Sequence, residues 1–122
     1  MVIYAYTRAY AIADGVLVDV SKLAVEAGFK YPVAMTSAAW DDCVIVPKGA
    51  DDQDETGRLW DILNVLRFAI KGSGENRSAS EIRFKVSVRT GEHTSEDIEL
   101  KSICGPGDDM SPVITIMLPN ED

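Results

Sequence analysis

The stretch Asp51-Asp52-Gln53-Asp54-Glu55 sets four carboxylates within five residues, a density that suits a hard cation or a basic protein surface. Calcium loops of the EF-hand type need acids at alternate positions, a central glycine and a closing glutamate. This stretch lacks that spacing, and a solvated loop entering a helix N-terminus, where negative charge is favoured, also accounts for it. Asp108 and Asp109 follow Gly105-Pro106-Gly107. Two glycines could aim backbone N–H groups at a phosphate, but adjacent aspartates would repel it and no lysine follows. A tight turn with positive φ at glycine is the simpler expectation. His93 is the one histidine of the chain. It lies between Glu92 and Thr94 in a turn-like stretch, and neither Cys43 nor Cys104 has a histidine close by in sequence. No serine sits in a Gly-x-Ser-x-Gly elbow. A small metal-assisted hydrolase using Asp51, Asp54 or Asp108 with His93 is the enzymatic alternative, with few ligands for a transition metal. No catalytic, cofactor or metal site is assigned.

Trp60 is the aromatic residue best placed to bind something. It adjoins the apolar stripe of its helix, with Asn64, Arg67 and Lys71 on its own face, and Trp beside Arg is the composition of a binding hot spot. The alternative is that it packs beneath the preceding short helices. Trp40 reads as core. The row Arg83, Lys85 and Arg89 could bind an anion, or could form the solvent side of a sheet paired with Glu96 or Glu99. Cys43 and Cys104 match no metal or redox spacing and adjoin apolar runs, so they read as reduced, partly buried thiols.

Charge restricts the remaining classes. Twenty Asp and Glu face twelve Lys and Arg, for a formal charge of -8 and a pI near 4.5. A nucleic-acid binder needs a basic stripe to displace counterions, and a membrane-surface segment needs a polybasic cluster; the chain has neither. A length of 122 residues with 46% hydrophobic residues suits one globular domain with a real core. No apolar run reaches the roughly 18 residues of a membrane helix, and Met1–Tyr10 does not resemble a signal peptide. A cytoplasmic location is expected.

These residues need elements to position them. Val2–Tyr6 is a short strand or an apolar lead-in. Thr7 caps a helix over Arg8–Ala13, closed by Asp14-Gly15. Val16–Val20 reads as a strand. Ser21 is expected to cap a helix from Lys22 to Ala27, ended by Gly28, and Phe29–Val33 is extended before and after Pro32. Thr36 or Ser37 caps a third helix to Cys43. After the acidic loop over residues 48–55, Leu59, Ile62, Leu63, Leu66 and Ile70 form one apolar stripe of the longest helix. Residues 72–76 form a linker. Ile82, Phe84, Val86 and Val88 alternate with polar residues as a half-buried strand. Ile98, Leu100 and Ile103 mark a second strand. Val113–Leu118 marks a third, apolar enough to be central. The fold class is therefore α+β: a single domain of residues 1–122, with short helices and one longer amphipathic helix on one face of an antiparallel sheet drawn mainly from the C-terminal half.

Three stretches carry a resemblance: Ala11-Ile12-Ala13-Asp14-Gly15-Val16-Leu17-Val18-Asp19-Val20, Gly57-Arg58-Leu59-Trp60-Asp61, and Cys104-Gly105-Pro106-Gly107-Asp108-Asp109 with the run Pro112–Pro119. The chain resembles a family of small uncharacterised bacterial proteins carried on plasmids, phages and integrated elements. That resemblance implies an accessory protein of a mobile element and transfers no active-site residue. Joined to the acidic charge, it sets the leading expectation: a non-enzymatic interaction protein that inhibits a restriction or CRISPR-type nuclease by occupying its basic nucleic-acid channel. Asp51, Asp52, Asp54, Glu55, Asp108 and Asp109, with Glu121 and Asp122, would supply the charge, and Trp60 the apolar anchor. A subunit that pairs with itself through a sheet edge is a further alternative.

Overall fold

The computed structural model describes residues 6–72 and 80–121. The element order is α1 (Arg8–Ala13), β1 (Leu17–Asp19), α2 (Ser21–Glu26), β2 (Val33–Thr36), α3 (Ser37–Cys43), α4 (Glu55–Gly72), β3 (Glu81–Arg89), β4 (Ser95–Pro106) and β5 (Pro112–Met117). The α+β expectation holds. Residues 2–5 of the expected N-terminal strand or lead-in and residues 73–76 of the expected linker lie outside the described residues.

One five-stranded sheet runs in the order β1-β2-β5-β4-β3. β3, β4 and β5 form the expected antiparallel meander, and β5 is the middle strand. The sheet is wider than the expected one. β2 pairs parallel with β5, Val33 opposite Ile114 and Met35 opposite Ile116, and β1 pairs antiparallel with β2. Val33, Ala34 and Met35 are all buried, which is why this strand shows no alternation in sequence.

The core lies on one face of the sheet. Phe84, Val86, Val88, Leu100, Ile114, Ile116, Val33 and Met35 meet Leu59, Ile62, Leu63 and Leu66 of α4, with Ala24 and Phe29 from the α2 region. α4 is long enough to present several turns to that face, and the expected stripe is the face it buries. The expectation that all helices share one face needs correction for α1. Arg8 donates to Thr115 Oγ1 at 2.6 Å and to the Ile114 carbonyl at 2.8 Å. Thr115 alternates with the core residues Ile114 and Ile116, so α1 begins on the opposite face.

Two local expectations also change. Ser21 is the first residue of α2 rather than its cap. Its hydroxyl bridges to the Val33 backbone, donating to the carbonyl at 3.3 Å and accepting from the N–H at 3.0 Å, and so ties α2 to β2. In the β4–β5 turn, the left-handed residue is Met110 (φ 70°) and not a glycine. Asp109 Oδ1 accepts from the Ser111 N–H at 3.0 Å and closes that turn.

Candidate functional site

The acidic loop is an ordered structure. Ala50 N–H donates to the Pro47 carbonyl at 3.2 Å and Gln53 N–H to the Ala50 carbonyl at 3.0 Å, two overlapping turns. Ala50 is fully buried and anchors them. Gly49 has φ of 96°, and a Cβ there would lie 3.3 Å from the Glu92 nitrogen, so the loop packs closely on the β3–β4 hairpin.

Two arginines hold this loop from within the chain. Arg89 pairs with Asp52 at 3.0 Å and donates to the carbonyls of Gly91 and Glu92. Its hydrogen bond holds the Asp52 carboxyl below the usual carboxylate range. Arg58 is buried, with 6% of its surface exposed. Its Nε donates to the Cys43 carbonyl at 3.0 Å, and its Nη1 donates to Gln53 Oε1 at 2.6 Å and the Arg89 carbonyl at 3.0 Å. Arg58 thus joins the end of α3, the acidic loop and the end of β3. Burial lowers its pKa. Sequence reasoning placed no role on Arg58; its position four residues before Ile62, on the flank of the buried stripe, was the available signal.

The expected site residues fall into two groups. Asp51, Asp52, Asp54, Glu55 and Trp60 come together at the start of α4. A shallow depression of ≈ 280 Å³ is lined there by Asp52, Asp54, Trp60 and Asp61, among others. A second depression, of ≈ 470 Å³, joins Asp51 and Asp52 to Glu92. Asp54 accepts from the Gly57 N–H at 2.6 Å as the cap of α4. Glu55 occupies the first turn of α4, where the helix dipole favours it. Asp108 and Asp109 lie at the other end of β4, whose 12 residues span roughly 35 Å. Asp108 accepts from the N–H of Arg8 at 2.8 Å and of Ala9 at 3.0 Å, so it caps α1 across the fold. Glu121 is bound internally as well, accepting from Thr36 Oγ1 at 2.7 Å. Asp122 lies outside the described residues.

The outer face of α4 adds what the charges lack. Trp60 is 40% exposed and Phe68 80% exposed. Trp60, Asn64 and Phe68 are successive four-residue steps, so they form one line on the helix, and Val65 beside it is 37% exposed. Asp61 is exposed on the same side. Phe68 was not anticipated, although its absence from the buried stripe was visible in the spacing.

The residues of the hydrolase alternative are not assembled. His93 is exposed at the hairpin tip, 3.6 Å from Glu92, and Asp108 is at the far end of β4. Among the described residues no three His, Cys, Asp or Glu groups are placed to share a metal ion. Cys43 is buried, and burial with the nearby Asp42 raises its thiol pKa to about 11, which suppresses the thiolate at neutral pH. Cys43 and Cys104 are free thiols. No helix among the described residues is long and apolar enough to cross a membrane.

The chain belongs to a family of unknown function, DUF6573, whose family model matches residues 1–122. No curated protein matches the chain, and no solved structure does.

Proposed function

We propose that this member of the DUF6573 family is a non-enzymatic acidic interaction protein of a bacterial mobile element, acting in the cytoplasm as an inhibitor of a host nuclease complex of the CRISPR or restriction type. The observation that carries this reading is the continuity of the acidic loop with the exposed aromatic line of α4. Asp51, Asp52, Asp54, Glu55, Asp61 and Glu92 surround one end of that line, and Trp60 and Phe68 supply its apolar area. A nuclease holds nucleic acid in a basic channel, and a fixed array of carboxylates competes for it, while buried aromatics supply the part of the affinity that salt does not screen. The two arginine struts support this reading because Arg89 holds Asp52 and Arg58 holds Gln53 between the acids, which orders the loop before binding and lowers the ordering cost. The resemblance to mobile-element proteins supports the biological setting.

The test is a pull-down from bacterial lysate with tagged protein across a salt series, read by mass spectrometry, followed by a cleavage assay with the recovered enzyme. The expected result is a nuclease complex that is released as salt rises and whose DNA binding is displaced by the purified protein. Salt-indifferent association, or simultaneous binding of DNA and the protein, would overturn the proposal.

A further inference from the structure

The outer strand β3 pairs with β4 alone, in unbroken register from Glu81 opposite Ile103 to Arg89 opposite Ser95. Hydrogen bonds at its two ends fix which backbone groups face outward. Cys104 N–H donates to the Ser80 carbonyl, and Thr90 N–H donates to the Thr94 carbonyl, so even-numbered residues face β4. Antiparallel ladders alternate, so the odd-numbered residues turn their N–H and C=O away from it. Arg89 agrees, since its carbonyl accepts from Arg58 and not from β4. Arg58 therefore closes one end of the edge. Glu81, Arg83, Lys85 and Ser87 present outward backbone groups with no hydrogen-bond partner among the described residues.

Three features define what this edge takes. The side chains of this alternate row, Glu81, Arg83, Lys85, Ser87 and Arg89, lie on one face of the sheet and are cationic at three positions and anionic at one, with Glu99 of β4 opposite Lys85. Lys85 makes no ion pair among the described residues, whereas Arg83 and Arg89 are paired. Beside the edge runs a crevice of ≈ 60 Å³ between α4 and β3, lined by Arg58, Asp61, Val65 and Ser87 among others. Arg58, a residue only 6% exposed, lines it with no carboxylate within 4.0 Å among the described residues. In a second copy of the chain, an antiparallel β3–β3 pairing over the full strand sets Lys85 opposite Lys85 but Glu81 opposite Arg89 at both ends, and a two-residue shift in either direction sets Arg83 opposite Lys85 or Arg89; this occupant is the competing outcome of the test below.

From this geometry we infer that β3 is a strand-addition site for an extended acidic segment of a partner protein. The segment's backbone pairs with Arg83, Lys85 and Ser87, and a carboxylate of it reaches the Arg58 guanidinium through the crevice. This surface adjoins the acidic one on α4 and shares Arg58 and Asp61 with it, and the inference stands whether or not the target is a nuclease.

The probe is a synthetic peptide of alternating valine and glutamate with a free C-terminal carboxylate, compared with its valine–lysine counterpart. Amide hydrogen exchange by NMR is the readout. The expected result is protection of the Arg83, Lys85 and Ser87 amides by the acidic peptide, with exchange slowed by about tenfold or more, and movement of the Arg58 side-chain N–H signals. Lys85→Glu should reverse the preference between the two peptides. Ser87→Pro should abolish binding, because it removes an outward N–H that the fold does not use; if that variant fails to fold, Lys85→Glu decides. Absence of protection at saturating peptide, or equal protection by both peptides, would overturn the inference. So would a dimer, detected by light scattering, that protects the same amides without any peptide.

Discussion

Arg58 Nη1 donates to the backbone carbonyl of Arg89 at 3.0 Å, so one buried cation rests on the backbone of a second arginine that itself holds Asp52. The position of the acidic loop depends on this chain of contacts. Replacing Arg58 by methionine would leave the carbonyls of Cys43 and Arg89 and the Gln53 amide without their donor. The expected loss is about 2–4 kcal/mol, read by urea denaturation, with the 48–55 loop becoming mobile in NMR relaxation.

The Asp52–Arg89 pair predicts a pH response of the loop. Asp52 titrates below the ordinary carboxylate value in the folded chain because it accepts from Arg89. A depressed folded pKa gives a contribution that is complete above the unfolded pKa and is lost as pH falls through the folded one. The pair should therefore survive through the normal aspartate range and break only below it. Carboxyl NMR of Asp52 checks this, and Arg89→Gln should raise the titration toward the ordinary range, with a backbone hydrogen bond still lowering it.

Cys43 predicts a loss of stability in alkali. Its folded thiol titrates at about 11 against an ordinary 9.0. The folded state holds the proton more tightly, so stability is full below 9 and falls as pH rises toward 11, by roughly 2 kcal/mol. Denaturation at pH 8 and pH 10.5 measures it, and Cys43→Ala should flatten the slope.

The two groups of acids should separate by mutation. Asp51→Asn with Glu55→Gln should leave stability within about 0.5 kcal/mol and weaken target binding at low salt. Asp108→Ala removes the acceptor for the Arg8 and Ala9 N–H groups and should cost about 1 kcal/mol with target binding unchanged. Thermal melts and salt-dependent binding, run on both variants, distinguish them.

Phe68→Ala tests the aromatic line. At 80% exposure the ring contributes little to the fold, and the melting temperature should hold. Affinity for the target should drop about tenfold or more if the ring is a hot spot, with the salt slope unchanged because no charge is removed.

Much of this arrangement was legible in the sequence. The stripe Leu59–Ile70, the alternation Phe84–Val88 and the cap at Thr7 are local patterns, and each forms as expected. β2 was not legible as a strand: Val33, Ala34 and Met35 are all buried, and a short apolar run lacks the period that separates strand from helix. The capping role of Asp108 was not legible for a different reason. A cap reaching across 100 residues leaves no trace in local spacing. Arg58 carried no role in the sequence and Arg89 read as an anion site or the solvent side of a sheet, because only the fold shows that the acidic loop packs on both.

The parallel pairing of β2 with β5 has a consequence for how the chain is made. The middle strand of the sheet is the last described element in chain order, so β2 leaves the ribosome about 80 residues before the strand it docks against (Met35 opposite Ile116). Until then Val33 and Met35 have β1 on one side and lack Ile114 and Ile116 on the other. Non-local pairing of this kind slows folding and extends the exposure of apolar surface. Closure of the five-stranded sheet therefore requires β5, the strand that joins β1–β2 to β3–β4.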